Sequence, residues 1–286
     1  MARPRLSVVI PTRDRPDRLQ ETLEAIASQA FPGLEVVVVD DGSKPGTLET
    51  LQKSPPIQVR HWLRQKGRGP AAARNRGVAA AEGERVLFLG DDTRPAPGAL
   101  EQHLSDDEQG LQGHIDWDPQ QPVTEVMDFL APAGPQFYFK GLEAGESIPF
   151  TAVLGSNYSA PRRWFLQEPF DEDFPHAALE DTELAWRFRQ HDWPSVYAPE
   201  ALCWHHHTYE AIAPFLARQR RAGASARHAL GKHPRLLYPL VLQPLVFGLL
   251  VGLRGLFRRL GGKGQRRDSW DLASRAAFLR GFLLGA

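Results

Sequence analysis

The sequence has 286 residues, 42% hydrophobic and 24% charged, which is long enough to bury a sizeable core and too ordinary in composition for a disordered chain. A single cysteine, Cys203, excludes an internal disulfide framework and a cysteine-built zinc cage, and fits a reducing compartment. The formal charge is zero, yet residues 211–286 carry 14 Lys and Arg against two acids, while residues 1–210 carry 20 bases and 32 acids, so the two stretches face different partners.

The first apolar run, LSVVIP, ends at Pro11. It lacks the length and the small-residue cleavage pattern of a signal peptide and reads as a first strand. Leu19, Leu23 and Ile26 then recur at helical spacing, EVVVVD reads as a second strand, and an Ala-rich helical segment leads to a further strand, RVLFLG. Short continuous runs of this kind, separated by helices, predict buried parallel strands of an α/β sheet. Such sheets bind ligands beyond the carboxyl ends of their strands. That is where the chain sets Thr12, then Asp40, Asp41 and Ser43, then Asp91 and Asp92.

Residues 105–160 carry Asp, Gln, Gly and Pro clusters and read as an irregular, loop-rich half with a few strands. FDEDFPHAALEDTELAWRFRQHDW predicts a loop and then a helix with an acidic start at Glu180 and apolar positions Leu184, Trp186 and Phe188. SVYAPEALCWHHHT reads as a strand and turn, and the basic stretch from Ala211 as helical. Leu236 to Leu253 is an uncharged run of 18 residues. As an ideal helix it would be about 27 Å long, near the thickness of a bilayer core. Pro239, Pro244 and the polar Gln243 argue against a span.

Each motif has a bland reading beside a functional one. VVVVDDGSKP can hold a base or ribose through its acceptors, or be an ordinary Asp-Gly turn. KGRGPAAARNRG matches neither the phosphate-binding GxxxxGK[ST] pattern nor GxGxxG. Its Arg74 and Asn75 either reach a phosphate or base or lie on a helix surface. Asp91 and Asp92 suit a hard divalent cation, or cap a turn before Pro95. On an extended strand end consecutive side chains diverge, so these two acids are expected to hold separate partners. Glu180 and Asp181 either complement a helix dipole or aim a carboxylate base into a cleft. In CWHHHTY, strand alternation turns His205 and His207 one way and His206 the other. An imidazole beside carboxylates favours Mn²⁺, whereas Mg²⁺ prefers oxygen. Trp164, Phe170 and Trp186 could stack on a sugar, but core packing is their expected role.

The order of these motifs, IPTRDRPDRL, VVVVDDGS, GPAAARNRGVAAA, FLGDDTRPAPGAL, LGSNYSAPRR, FDEDF, LEDTELAWRF and WHHH, resembles the family 2 glycosyltransferases of GT-A fold over about residues 5–210. The resemblance implies a mixed, mostly parallel central sheet flanked by helices. It also implies an inverting transfer from a nucleotide-diphosphate sugar, with Mn²⁺ or Mg²⁺ under the diphosphate, onto a carbohydrate or lipid-linked acceptor. Position by position, Pro11, Thr12 and Arg13 match the first donor loop. Asp41 matches the base contact, Arg74 the basic residue beside the nucleotide, and Asp91 the group nearer the ribose. Asp92 matches the metal ligand, His205 a histidine that some members add to the metal (His207 being the second choice), and Asp181 the catalytic base. Gly90 stands where many members carry a further acid, which raises the weight on the histidine.

The resulting expectation is a catalytic domain over 1–210, with a nucleotide-sugar half at 1–104 and an acceptor half at 105–210, and a basic, apolar helical extension at 211–286. The expected work is cell-surface polysaccharide or glycolipid synthesis in the cytoplasm, with no nucleic acid partner. Arg254, Arg258, Arg259, Lys263, Arg266 and Arg267 fit an anionic inner membrane face, with packing on the domain and dimerisation as alternatives. A nucleotidyltransferase and a non-catalytic sugar or lipid-carrier scaffold are the competing functions.

Overall fold

The computed structural model describes residues 4–106, 108–131, 134–246 and 266–285. In chain order the elements are β1 (Leu6–Thr12), α1 (Pro16–Ala27), β2 (Leu34–Asp40), α2 (Glu49–Lys53), β3 (His61–Arg64), α3 (Pro70–Ala80), β4 (Arg85–Leu89) and β5 (Thr93–Pro95). They continue with α4 (Ala99–Gln102), β6 (Gly110–Trp117), α5 (Glu125–Leu130), β7 (Asn157–Pro161), α6 (Arg162–Gln167), α7 (Glu180–Gln190), β8 (Ser195–His205) and α8 (Ala213–Lys232). A C-terminal helix spans Arg266–Leu284.

The apolar runs form the strands for the reason the sequence suggests, which is burial on both faces. All five residues of β4 are buried, as are six of the seven in β1. α1 begins at Pro16, where a missing N–H costs nothing, and buries Leu19, Thr22, Leu23 and Ile26 at intervals of three and four. Leu19, Leu23 and Ile26 join Leu6, Val8, Ile10, Val36, Val38, Leu87 and Leu89 in one core cluster. Each large aliphatic chain buried there contributes about 1.5–3 kcal/mol. On the other face the Ala-rich α3 presses close to the sheet. A Cβ added at Gly77 would sit 2.3 Å from Val9 Cγ1, so only glycine allows this approach.

The sheet has eight strands in the order β3-β2-β1-β4-β7-β6-β8-β5. β3, β2, β1 and β4 are mutually parallel. β7 runs antiparallel to both β4 and β6, which makes the sheet mixed. The irregular half therefore supplies two interior strands. β8 pairs with β6 in parallel and with β5 antiparallel, and both pairings meet at His205, opposite Trp117 and Thr93.

The chain divides into two compact units, Met1–Glu172 with Leu184–Thr208, and Asp173–Glu183 with Tyr209–Ala286. Among the described residues the regular elements of the second unit are helices. α8 and the C-terminal helix meet through two glycines: a Cβ on Gly223 would be 1.9 Å from Phe278 O, and one on Gly281 would be 1.8 Å from Arg220 O. Glu183 and His233 are paired at 2.8 Å in the same unit. After α8 the apolar run takes a π-helical turn over Tyr238–Leu242. Residues 247–253 of that run, with Arg254, Arg258, Arg259 and Lys263, lie outside the described residues. Among the described residues no helix is long and apolar enough to cross a membrane.

Candidate active site

The loops that follow β1, β2 and β4 are tied together by polar side chains. Thr12, the last residue of β1, donates from Oγ1 to Asp91 Oδ2 at 2.8 Å. Asp14 has a φ of 55°, a left-handed conformation that Asp adopts more readily than most residues. Its N–H donates to Ser43 Oγ and its Oδ1 accepts from Lys44 N–H, which clamps the first loop to the second. Pro11 is half-buried within β1, and Arg13 is exposed with its guanidinium over Gly67.

At the end of β2, Asp41 is buried and its carboxylate organises the next loop. Oδ1 accepts from Arg68 N–H at 2.8 Å and Gln65 Nε2 at 2.7 Å, and Oδ2 accepts from Gly69 N–H at 2.9 Å. Asp40 Oδ1 accepts from Ser43 N–H at 2.7 Å. Asp41 thereby fixes the loop from Gln65 to Gly69, immediately before α3.

After β4 the chain turns at Asp91 and Asp92 instead of continuing as extended strand. The expected divergence of the two side chains does not occur, because the turn aims both carboxylates at one cation. Arg15 Nη1 lies 3.1 Å from Asp91 Oδ1 and 2.9 Å from Asp92 Oδ2. Burial, aided by the Asp92 charge, pushes Asp91 up to about 6. Asp92 is also desolvated, but the charges of His205, Arg15 and His207 outweigh that burial and draw its carboxyl below the usual range. Gly90 owes its identity to the same crowding. A Cβ there would stand 2.7 Å from Thr93 Oγ1 and 2.9 Å from Asp92 Oδ1.

Pairing of β5 with β8 carries His205 to this turn. Its Nε2 is 3.7 Å from Asp92 Oδ1, beyond hydrogen-bond length, and both side chains are largely shielded from solvent. Its ring is set by edge contacts with Trp117 and Phe137 at 5.6 and 5.2 Å. His207 lies on the same side, 5.8 Å from His205 ring to ring, whereas His206 turns away to Glu21 at 2.7 Å. One carboxylate oxygen and one imidazole nitrogen thus face each other, and a Cβ at position 90 would crowd that oxygen. That donor set fits one divalent cation of the Mn²⁺ type. Among the described residues there is no group of three or more His, Cys, Asp or Glu arranged to hold an ion, so ligand oxygens would have to complete the shell.

The remaining expected residues lie in varied settings. Arg74 is buried in α3, its guanidinium over the rings of Phe170 and Phe88 at 5.3 and 5.9 Å and donating to Gly155 O at 3.1 Å. Asn75 holds Phe170 O and Glu172. Asp181 is half-buried in the first turn of α7 and accepts from Thr182 N–H at 2.8 Å. The helix follows Leu179, whose φ of 67° is a strained value for a bulky residue. Trp164 stacks on Trp193 and Phe170 packs against Phe88, both as core residues, while Trp186 is half-buried against Phe150. Sequence reasoning missed Arg15. Its one signal was position, a cation fixed directly before Pro16 at a helix start facing the strand ends.

Residues 7–117 match the model described as glycosyl transferase family 2. The fold is shared with a mannosyltransferase from Pyrobaculum calidifontis solved with GDP-Man and Mn²⁺, at a TM-score of 0.61 and 20% identity over 97% of this chain and 74% of that one. The chain has the GT-A-like α/β fold, and the family similarity lies in its first 117 residues. A β-1,3-glucosyltransferase of Campylobacter jejuni named for GalNAc(5)-diNAcBac-PP-undecaprenol is 38% identical over 101 residues, 34% of this chain and 32% of the relative. A pre-mycofactocin glycosyltransferase of Mycobacterium tuberculosis is 29% identical over 251 residues, 83% of this chain and 50% of the relative. The chain thus spans half or less of the length of these two relatives.

Proposed function

We propose that the protein transfers a sugar from a nucleoside-diphosphate donor to an acceptor hydroxyl with inversion, in the synthesis of a cell-surface polysaccharide or glycolipid. One observation carries this reading. Thr12, Asp41, Asp91 and Asp92 converge at the carboxyl ends of three adjacent parallel strands, where an α/β sheet binds nucleotides, and β5–β8 pairing adds an imidazole. The undecaprenol-linked name of the Campylobacter relative supports a lipid-linked acceptor.

In this reading Pro11, Thr12 and Arg13 border the donor, and Asp41 meets the base beside the Gln65–Gly69 loop. Arg74 stiffens the floor beside the nucleotide, while Asp91 holds Thr12 and faces the ribose. Asp92 and His205 hold a divalent cation, Mn²⁺ suiting the imidazole; once bound, it supplies Lewis-acid neutralisation of the leaving diphosphate. Asp181 takes the proton of the attacking hydroxyl, so no covalent enzyme intermediate is needed. Residues 1–210 are the catalytic domain and 211–286 an extension. In that extension exposed Tyr238, Leu242 and Val246, together with Arg235, Arg266 and Arg267, favour peripheral contact with an anionic membrane face.

The test is release of free nucleoside diphosphate from candidate sugar donors with Mn²⁺ present. Asp181→Asn is expected to keep donor binding and lose turnover; substantial turnover in that variant refutes the base assignment. Release of pyrophosphate instead identifies a nucleotidyltransferase, and no release identifies a scaffold.

A further inference from the structure

We propose that Arg15 is the internal counter-ion of the acid pair. Its guanidinium holds Asp92 until a divalent cation takes over that carboxylate, and then turns to grip the donor diphosphate. The inference rests on the metal reading given under Proposed function and concerns how that site is loaded.

Four carboxylate oxygens carry the argument. Asp91 Oδ2 is taken by the Thr12 hydroxyl at 2.8 Å. Asp91 Oδ1 and Asp92 Oδ2 share one nitrogen, Arg15 Nη1, at 3.1 and 2.9 Å. Asp92 Oδ1 faces His205 Nε2 at 3.7 Å. Arg15 therefore grips both acids through a single nitrogen, not through the two-pronged fork that makes an arginine–carboxylate pair strong and rigid. The grip is exchangeable in geometry as well. The Arg15 side chain is 51% exposed, while those of Asp91 and Asp92 are 9% and 16% exposed, so the cation lies at the mouth and the anions below it.

The backbone of Arg15 is fixed even though its head is not. Arg15 O accepts from Leu19 N–H to open α1, and Pro16 restricts the conformation of the residue before it. The long side chain pivots from a stationary Cα. Charge decides when it moves. Two adjacent carboxylates and one guanidinium sum to minus one, and a divalent cation at Asp92 turns the sum to plus one. Arg15 and that cation then repel each other within the same pair of acids, and the favourable place for a guanidinium is on an arriving diphosphate, whose oxygens match its donors. Arg15 is thus a positioning residue for both metal and donor.

Mn²⁺ alone, titrated into the full chain and followed by the electron paramagnetic resonance signal of free Mn²⁺, tests the first half. Arg15→Gln removes the competing charge and is expected to bind Mn²⁺ about fivefold tighter, the scale of a half-exposed ion pair. Arg15→Lys returns the affinity towards the wild-type value. UDP and GDP, titrated calorimetrically at saturating Mn²⁺, test the second half, and Arg15→Gln is expected to weaken the nucleotide that the wild type binds. A merely structural pin would leave the first readout unchanged or weaken it, because lost order does not tighten ion binding. Unchanged or weaker Mn²⁺ binding in Arg15→Gln, or unchanged nucleotide binding, overturns the proposal. Asp92→Asn separates the two layers. Wild-type Mn²⁺ binding in Asp92→Asn overturns the metal site itself, whereas loss there with no effect of Arg15→Gln overturns only the role of Arg15.

Discussion

The ends of β2 and β4 both present a pair of adjacent aspartates, yet the pairs are held by different means. At β2 the acids are held mainly by main-chain amides: Asp41 accepts from Arg68 and Gly69 N–H, and Asp40 from Ser43 N–H. At β4 the partners are side chains: Arg15 bridges both acids, and the His205 imidazole faces Asp92 at 3.7 Å. A backbone amide cannot leave its acceptor without refolding a loop, whereas an exposed side chain changes rotamer in picoseconds to nanoseconds. The β2 end is therefore a fixed shape, and the β4 end is a charge balance in which one cation can replace another.

The sharpest way to break this contrast is Asp92→Asn. Transfer is expected to fall about 10²- to 10³-fold, the range for losing one electrostatic element of an active site, with little change in melting temperature. Steady-state kinetics and thermal unfolding read both sides; a melting point several degrees lower with activity retained would make the β4 pair structural. Asp41→Asn should act first on stability. An amide cannot accept everywhere that the carboxylate does, so buried amides lose partners and stability drops by about 1–3 kcal/mol in urea denaturation. A smaller effect is expected for Gly90→Ala, whose methyl group would press on Thr93 and rotate Asp92 Oδ1 away from His205. The cost is about 1 kcal/mol, seen as a higher Mn²⁺ concentration for half-saturation with an unchanged fold by circular dichroism.

A control for the comparison comes from His103, which is buried and whose ring is bonded to the neutral side chains of Ser159 and Asn157. Burial pushes its pKa down to about 3. Its unfolded value is near 6.5, so the unfolded chain binds a proton that the folded one refuses. The stability it contributes is complete above about pH 6.5 and is lost as the pH falls from there towards 3. Unfolding measured from pH 7 to pH 4.5 should show this slope, and His103→Gln should flatten it.

Much of the first hundred residues was legible because continuous β-branched runs and periodic leucines each admit one arrangement, and the turns after them had to carry the polar groups. The pair that brings His205 to Asp92 was not legible. β5 is only Thr93, Arg94 and Pro95, with no apolar alternation, and its partner lies more than a hundred residues away. The direction of Asp92 was misread for a related reason, since a turn in place of an extended end changes which way successive side chains point. Arg15 was one cation among several in TRDRPDR, and only the fixed start of α1 singles it out. Arg74 looked like a surface cation on an alanine-rich helix or a phosphate contact, but two phenylalanine rings beneath that helix enclose it.

Cys203 closes β8 against the sheet, fully buried, and burial pushes its thiol far above the ordinary range. Because it is the chain's sole sulfhydryl, the protein comes chemically quiet towards maleimides and spin labels. A cysteine introduced at the exposed Arg13 would be the one reactive thiol, a ready attachment point for a fluorescent or paramagnetic reporter on the donor loop.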